Sequence, residues 1–219
     1  FEVIRALQKL GMSLGEIKEY MENRSPERFM SMIDGKKRQI DEEIRRLKNM
    51  KRFILHEEES VRLAMNTALD EPRLVERDRE YLLVSDISAG LERKAAVEIA
   101  EHVRMQEKYN GAVGAVGSIY LGEDLERGIY DRCVKVYTRL DKKTVSHRVQ
   151  NRPEGTYVEL YSRGHLWNME KSYRLITAFA GERGIRLGKI WYEDLMLDEL
   201  TVKAYEQYIA KVMVPVGNP

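Results

Sequence analysis

The sequence is poor in cysteine and in net charge, and it has no long apolar run; each shortage removes a class of answer. Cys133 is the single cysteine among 219 residues. No disulfide can form within the chain, and a reducing, cytosolic setting is the simplest reading. Formal net charge is +1, from 37 Lys and Arg against 36 Asp and Glu. No global field marks a nucleic-acid or membrane binder, so any DNA contact must come from a local basic patch. No apolar stretch approaches the roughly 20 residues that a membrane helix requires, and no secretory leader is visible. The histidines His56, His102, His147 and His165 stand far apart, without metal-ligand spacing. Gly114, Gly117 and Gly122 lack the lysine and the helix of a phosphate loop and read as bulges or close approaches. No metal or cofactor is expected. The first residue is Phe1, not Met, and the expectation is a chain that starts inside a longer protein or lacks its beginning.

What is present divides into a helical front and a mixed rear. Residues 1–23 read as two short helices. Val3, Ile4, Leu7 and Leu10 fall at helical spacing, and Gly11 ends the first helix. Ser13 with Glu16 three residues on forms a capping box for the second. Ser25-Pro26 opens a long helix, with proline at its first position. Ile33, Ile40, Leu47, Ile54 and Val61 recur every seventh residue. The second seam is weaker: Phe29, Ile44 and Met50 fit it, whereas Lys36, Lys37, Lys51 and Glu58 do not. Such a heptad predicts a coiled coil. A helix this long, roughly 60 Å at 1.5 Å per residue, is not stable alone in water; it pairs with another chain or folds onto its own. Residues 70–78 read as a linker.

Beyond the linker the pattern is strand, helix, strand, strand, twice over. The strands are expected at 79–87, 115–121 and 133–139, then at 156–162, 189–197 and 204–214. The helices are expected at 91–109 and 168–183. Tyr81 with Tyr157, and Tyr120 with Tyr192, suggest an internal repeat. The fold class is therefore α+β: a helical fragment and a long coiled-coil helix, then a duplicated β-α-β-β domain. Its antiparallel sheet carries both helices on one face, and a ligand cleft is expected at the pseudo-twofold junction.

Side chains alternate along a strand. Trp191, Glu193, Leu195 and Leu197 share one side of the strand at 189–197. A carboxylate among apolar neighbours is costly without compensation. Tyr157, Glu159 and Tyr161 share a face in the same manner, and Tyr208 lies with Ala210 and Val212. Aromatic rings around a carboxylate suit an organic cation, at about 0.5–2 kcal/mol per ring. The plainer reading is half-buried sheet surface, with Glu193 reaching solvent or an arginine. Cys133 reads as a small core residue.

The opening FEVIRALQKLGMSLGEIKEYM resembles the segment that follows the DNA-reading wing of the MerR family: Phe1, Ile4, Leu7, Leu10-Gly11, Ser13-Leu14 and Glu16-Ile17 fit its pattern. PEGTYVELYSRG, WYEDL and VMVPV resemble the GyrI-like effector-binding domain of BmrR-type multidrug regulators. The resemblance implies four parts: residues 1–24 as the remainder of a DNA-binding domain, 25–69 as a dimerising helix, 70–78 as a linker and 79–216 as the effector domain. It implies a homodimer through the long helix, promoter DNA as partner of the full protein, and a small aromatic cation as ligand, with no catalysis. It makes Glu193 the acidic reader and Tyr208 an aromatic wall, with Tyr120, Tyr137, Tyr161 and Trp167 as further walls. The helices that read DNA are not in this sequence, so the fragment alone is expected to bind no specific DNA. Two rivals remain: a small hydrolase with Glu193 as general base near Tyr157, and a protein-binding module.

Overall fold

The computed structural model describes residues 2–88, 93–106, 109, 112–140, 143–164 and 169–217. The chain divides into two compact units, Phe1–Lys51 and Arg52–Pro219. None of the described helices is long and apolar enough to cross a membrane.

The first unit holds α1 (Glu2–Lys9), α2 (Leu14–Glu22) and the start of α3 (Pro26–Asn66). The capping box is present. Ser13 Oγ accepts from the Glu16 amide at 3.3 Å, and a Glu16 carboxylate oxygen accepts from the Ser13 amide at 2.6 Å. Gly11 turns the chain at φ 73°. Leu7, Met12 and Ile17 bury together, with Tyr20, Met21 and Met32 against them. Lys36 explains one break in the second seam: its ammonium donates to the Gly11 carbonyl at 3.0 Å and reaches Glu16 at 3.4 Å. That lysine serves the small helical core, and the apolar residues Ile40, Ile44, Leu47 and Met50 stay exposed.

The second unit is built on one antiparallel sheet. Its strands are β1 (Arg73–Arg77), β2 (Glu80–Asp86), β3 (Ala112–Leu121), β4 (Lys135–Leu140), β5 (Val149–Arg152), β6 (Gly155–Arg163), β7 (Ile190–Leu197) and β8 (Ile209–Pro215). They lie in the order β1-β6-β8-β7-β3-β4-β2-β5. The helices α4 (Arg93–Gln106), α5 (Gly122–Glu126) and α6 (Glu170–Glu182) complete the unit.

The order reads the same from either end once β1 is exchanged for β5, β2 for β6, β3 for β7 and β4 for β8. The repeat is therefore β-β-α-β-β, one strand longer than the sequence pattern suggested. The extra strands are exchanged: β1 precedes β2 in the chain but pairs with β6, and β5 precedes β6 but pairs with β2. Residues 70–78, expected as a linker, thus contain the first strand of the first repeat. The two tyrosine matches prove out of phase. Tyr120 and Tyr81 lie on the face that carries α4 and α6, whereas Tyr192 and Tyr157 lie on the other. The last strand starts at Ile209, five residues later than expected, because Tyr205–Gln207 form a 3-10 turn.

As expected, α4 and α6 cover one face. Val158, Leu160, Trp191, Val212 and Val214 pack there against Ile99 of α4 and Ile176 of α6. The final turns of α3 lie on the opposite face, where Ala64 packs with Tyr161, Met196 and Ile209. Gly117 permits a close approach in this layer: a Cβ there would stand 2.4 Å from the Tyr137 ring.

Glu159 anchors β1. It is 1% exposed and ion-paired with both Arg73 and Arg77 of that strand. Removing one partner of a buried pair costs about 3–5 kcal/mol. Because the guanidiniums keep 47% and 31% of their exposure, Glu159→Gln is expected to cost less than that range. A urea unfolding midpoint unchanged in this variant would show that β1 is held by its backbone ladder alone.

Candidate functional site

β7 pairs with β3 on one side and β8 on the other, placing Glu193 opposite Ser118 and Val212. The strand is braced on both edges, so the alternation seen in the sequence is enforced. Glu193 lies on the α4/α6 face, 7% exposed. Tyr120 of β3 donates its hydroxyl to a Glu193 carboxylate oxygen at 3.0 Å. Trp191 lies one pleat away on the same face, with the Tyr173 ring of α6 at 5.4 Å between centroids. Burial pushes the Glu193 carboxyl up to about 7, against the lowering effect of the Tyr120 hydrogen bond. Among the described residues no basic side chain forms an ion pair with it.

A cavity of about 400 Å³ opens onto this carboxylate. Ser162, Arg163 and Gly164 border it from the end of β6, and Glu170, Lys171, Ser172 and Arg174 from the start of α6. Ala210 of β8 closes it beside Glu193. The space lies within the second repeat and touches the junction strands only through Glu193, not along the pseudo-twofold axis as expected. Asp70 fastens its wall, accepting from Ser162 Oγ at 2.8 Å and from Lys171 Nζ at 2.7 Å. Glu170 pairs with Arg174 at 2.7 Å.

Comparison with known proteins now bears on this arrangement. A family model described as MerR, DNA binding, matches residues 1–56. The chain is 28% identical over 219 residues to the multidrug-efflux transporter 2 regulator of Bacillus subtilis (strain 168), covering 99% of this chain and 79% of that protein. Two solved structures share the fold. The EcmrR C-terminal domain matches with a TM-score of 0.54 at 12% identity, over 68% of this chain and 98% of that one. EcmrR in its DNA complex matches with a TM-score of 0.51 at 14% identity, over 100% and 82%.

The residues anticipated for the site divide between the two faces. Glu193, Trp191 and Tyr120 come together. Tyr137, Tyr157, Glu159 and Tyr161 lie on the opposite face, so Tyr157 is no neighbour for Glu193 as a general base. Glu159 is occupied by Arg73 and Arg77. Tyr208 is buried just before β8, its hydroxyl donating to Glu199 at 3.1 Å while its carbonyl accepts from the Gly164 amide at 3.3 Å. Trp167 lies outside the described residues. No aromatic residue is among the described side chains bordering the cavity.

A buried charge network on the opposite face went unread in the sequence. Lys211 pairs with Asp194 at 2.8 Å, and Tyr137 donates its hydroxyl to Asp194 at 2.6 Å. Burial opposes ionisation of Asp194, but Lys211, Arg139 and Arg152 hold its carboxyl far below the usual range. Arg152 is 1% exposed, pairs with Glu80 and lies over the Tyr192 ring at 5.2 Å. The available signal was a lysine inside the apolar strand IAKVMVP. Tyr192 also borders a second, smaller cavity of about 250 Å³ on this face, lined by Leu82, Ile119 and Ile190 among others.

The raised Glu193 carboxyl carries a stability consequence. Its folded-state pKa of about 7 exceeds the ordinary 4.5, so its contribution is full below 4.5 and is lost as pH rises through 7. Glu193→Gln is neutral throughout. The variant should gain stability over the parent as pH rises from 5 to 8, and denaturant midpoints that keep a constant gap would contradict this burial.

Proposed function

We propose that the chain is the sensing and dimerising part of a ligand-responsive transcription regulator, and that its C-terminal unit binds a lipophilic, aromatic organic cation at Glu193. One contrast carries the reading. Two strand carboxylates, Glu159 and Glu193, are buried, and a third, Asp194, is largely enclosed. Among the described residues Glu159 and Asp194 each have basic partners, whereas Glu193 has a tyrosine hydroxyl and a cavity. Ionised in that setting, it has no counter-charge among those residues; a bound cation supplies one, and a charge pair out of water interacts more strongly than one at the surface. The hydroxyl of Tyr120 fixes the carboxylate, and Trp191 supplies apolar surface behind it. The kinship with a regulator of a multidrug-efflux transporter fits a broad, lipophilic ligand class, and it argues for a sensor and against an enzyme.

Promoter DNA is the partner of the whole protein in this reading. It is supported by the MerR DNA-binding match over residues 1–56 and by the shared fold with EcmrR, which was solved on DNA. The homodimer forms through α3, where Ile40, Leu47 and Ile54 recur at heptad spacing and are 57%, 49% and 56% exposed. A ligand can shift the DNA-bound state only by binding two conformations unequally, and α3 joins the two units.

Two measurements test these claims. Glu193→Gln should weaken the cationic dye rhodamine 123 at least tenfold, about 1.4 kcal/mol, and spare an uncharged xanthene. Affinity of the parent should fall as pH drops below about 7, where Glu193 takes up a proton. Equal losses for both dyes would make Glu193 a structural residue. For the dimer, Leu47→Asp places a charge in the seam and should shift the sedimenting species from dimer to monomer at micromolar concentration. A parent that sediments as a monomer would refute the pairing.

A further inference from the structure

Among the described residues, the cavity that exposes Glu193 is bordered by three basic side chains, Arg163, Lys171 and Arg174, against two acidic ones, Glu170 and Glu193. A ligand carrying only positive charge would satisfy Glu193 and meet like charge at the opposite wall. That wall also holds donors in want of an acceptor. Ser172 lines the cavity, is 6% exposed, and its hydroxyl has no hydrogen-bond partner among the described residues. Lys171 gives one of its three donors to Asp70 at 2.7 Å, and an ammonium has two more to offer. The thirteen-residue helix α6 starts here with no side-chain cap, and a helix start favours negative charge. Arg174 is committed to Glu170; Ser172 and Lys171, neighbours in the first turn of α6, form the reading pair.

We propose that this cavity takes a zwitterion: an aromatic cation held by Glu193 that also bears an oxyanion, a carboxylate or its equivalent, held by Ser172 and Lys171. The assignment rests on the cation reading of Glu193 and narrows its ligand class. The oxyanion accepts from the Ser172 hydroxyl and from the Lys171 donors that Asp70 does not take, groups that border the cavity and have no other partner among the described residues. The second charge also offsets the basic border, so each end of the ligand meets the opposite sign. Selectivity among lipophilic cations then follows from the anionic end, and affinity for the cationic end from Glu193.

A matched pair of dyes tests it on the full chain. Rhodamine 110 carries a free carboxylate on its cationic ring system, and rhodamine 123 is the methyl ester of the same molecule. By fluorescence anisotropy the acid should bind at least tenfold tighter than the ester. Ser172→Ala with Lys171→Gln should remove the advantage of the acid without weakening the ester, which loses a like charge from the wall it faces; Ser172→Ala alone, which spares the Asp70 contact, should remove part of the advantage. Equal binding of acid and ester by the parent overturns the proposal, as does an equal loss for both dyes in either variant. Glu193→Gln separates the two readings. If it weakens the ester while the acid shows no advantage, the oxyanion subsite alone fails. If it weakens neither dye, the cation reading fails and the subsite with it.

Discussion

Two consecutive carboxylates lie on opposite faces of one central strand, Glu193 buried and Asp194 with its side chain 13% exposed, and much of the second unit is arranged around that constraint. An ionised group away from water needs partners. Asp194 draws them from several strands: Lys211 from β8 at 2.8 Å, the Tyr137 hydroxyl from β4 at 2.6 Å, and the fields of Arg139 and Arg152 from β4 and β5. Since each partner sits at a fixed register, the network penalises any slip of these strands by a residue, which would turn every side chain to the wrong face. Arg152 in turn requires Glu80, which ties the exchanged strand β5 to β2. Among the described residues Glu193 meets no basic side chain, and its carboxyl rises to about 7. What separates the two neighbours is whether the described residues provide a cation.

Local chemistry and periodicity were legible in the sequence. The capping box at Ser13 and Glu16, the helix from Pro26, the heptad along it and the alternation that set Glu193 beside Trp191 all depend on residues within a few positions of one another. What escaped depends on distance along the chain. β1 and β5, RLVER and VQNR, are short edge strands of mixed polarity with no apolar alternation, and only their exchanged pairing makes them strands. The partners of Glu159 stand 86 and 82 residues away. Alternation shows which residues share a face, but not which face of one strand continues which face of another. The tyrosines of β4 and β6 therefore counted as walls of a site from which the sheet itself separates them.

The helix α3 divides its surface between two tasks, and the sequence showed one of them. The heptad at Ile40, Leu47 and Ile54 is exposed. The opposite stripe in the second unit, His56, Ser60 and Ala64, faces the sheet: Ser60 and Ala64 are buried, and the His56 ring stands 3.1 Å from the Arg139 guanidinium. Burial and the positive charge of Arg139 both push the His56 imidazole below its ordinary pKa, so the contact favours a neutral ring. The small residues Ser60 and Ala64 are thus explained by a helix that packs on its own sheet with this side, whereas Glu58 stays exposed.

The cavity is joined to the end of that helix by a route of few bonds. Asp70 follows the last residue of α3, Asn66, by one short turn and adopts φ 63°, a left-handed conformation that aspartate tolerates better than most residues. Its amide donates to the Tyr161 carbonyl at 2.7 Å, and its carboxylate accepts from Ser162 and Lys171, both of which border the cavity. β7, braced by β3 and β8, is the stiff wall of the site. The start of α6 is attached to the sheet at this point through side chains, so it is the wall that yields at lower cost. In the zwitterion proposal the oxyanion shares the Lys171 ammonium with Asp70, and Asp70 fixes the chain as it leaves α3. Binding as proposed would therefore bear on a contact that both the cavity and the long helix share.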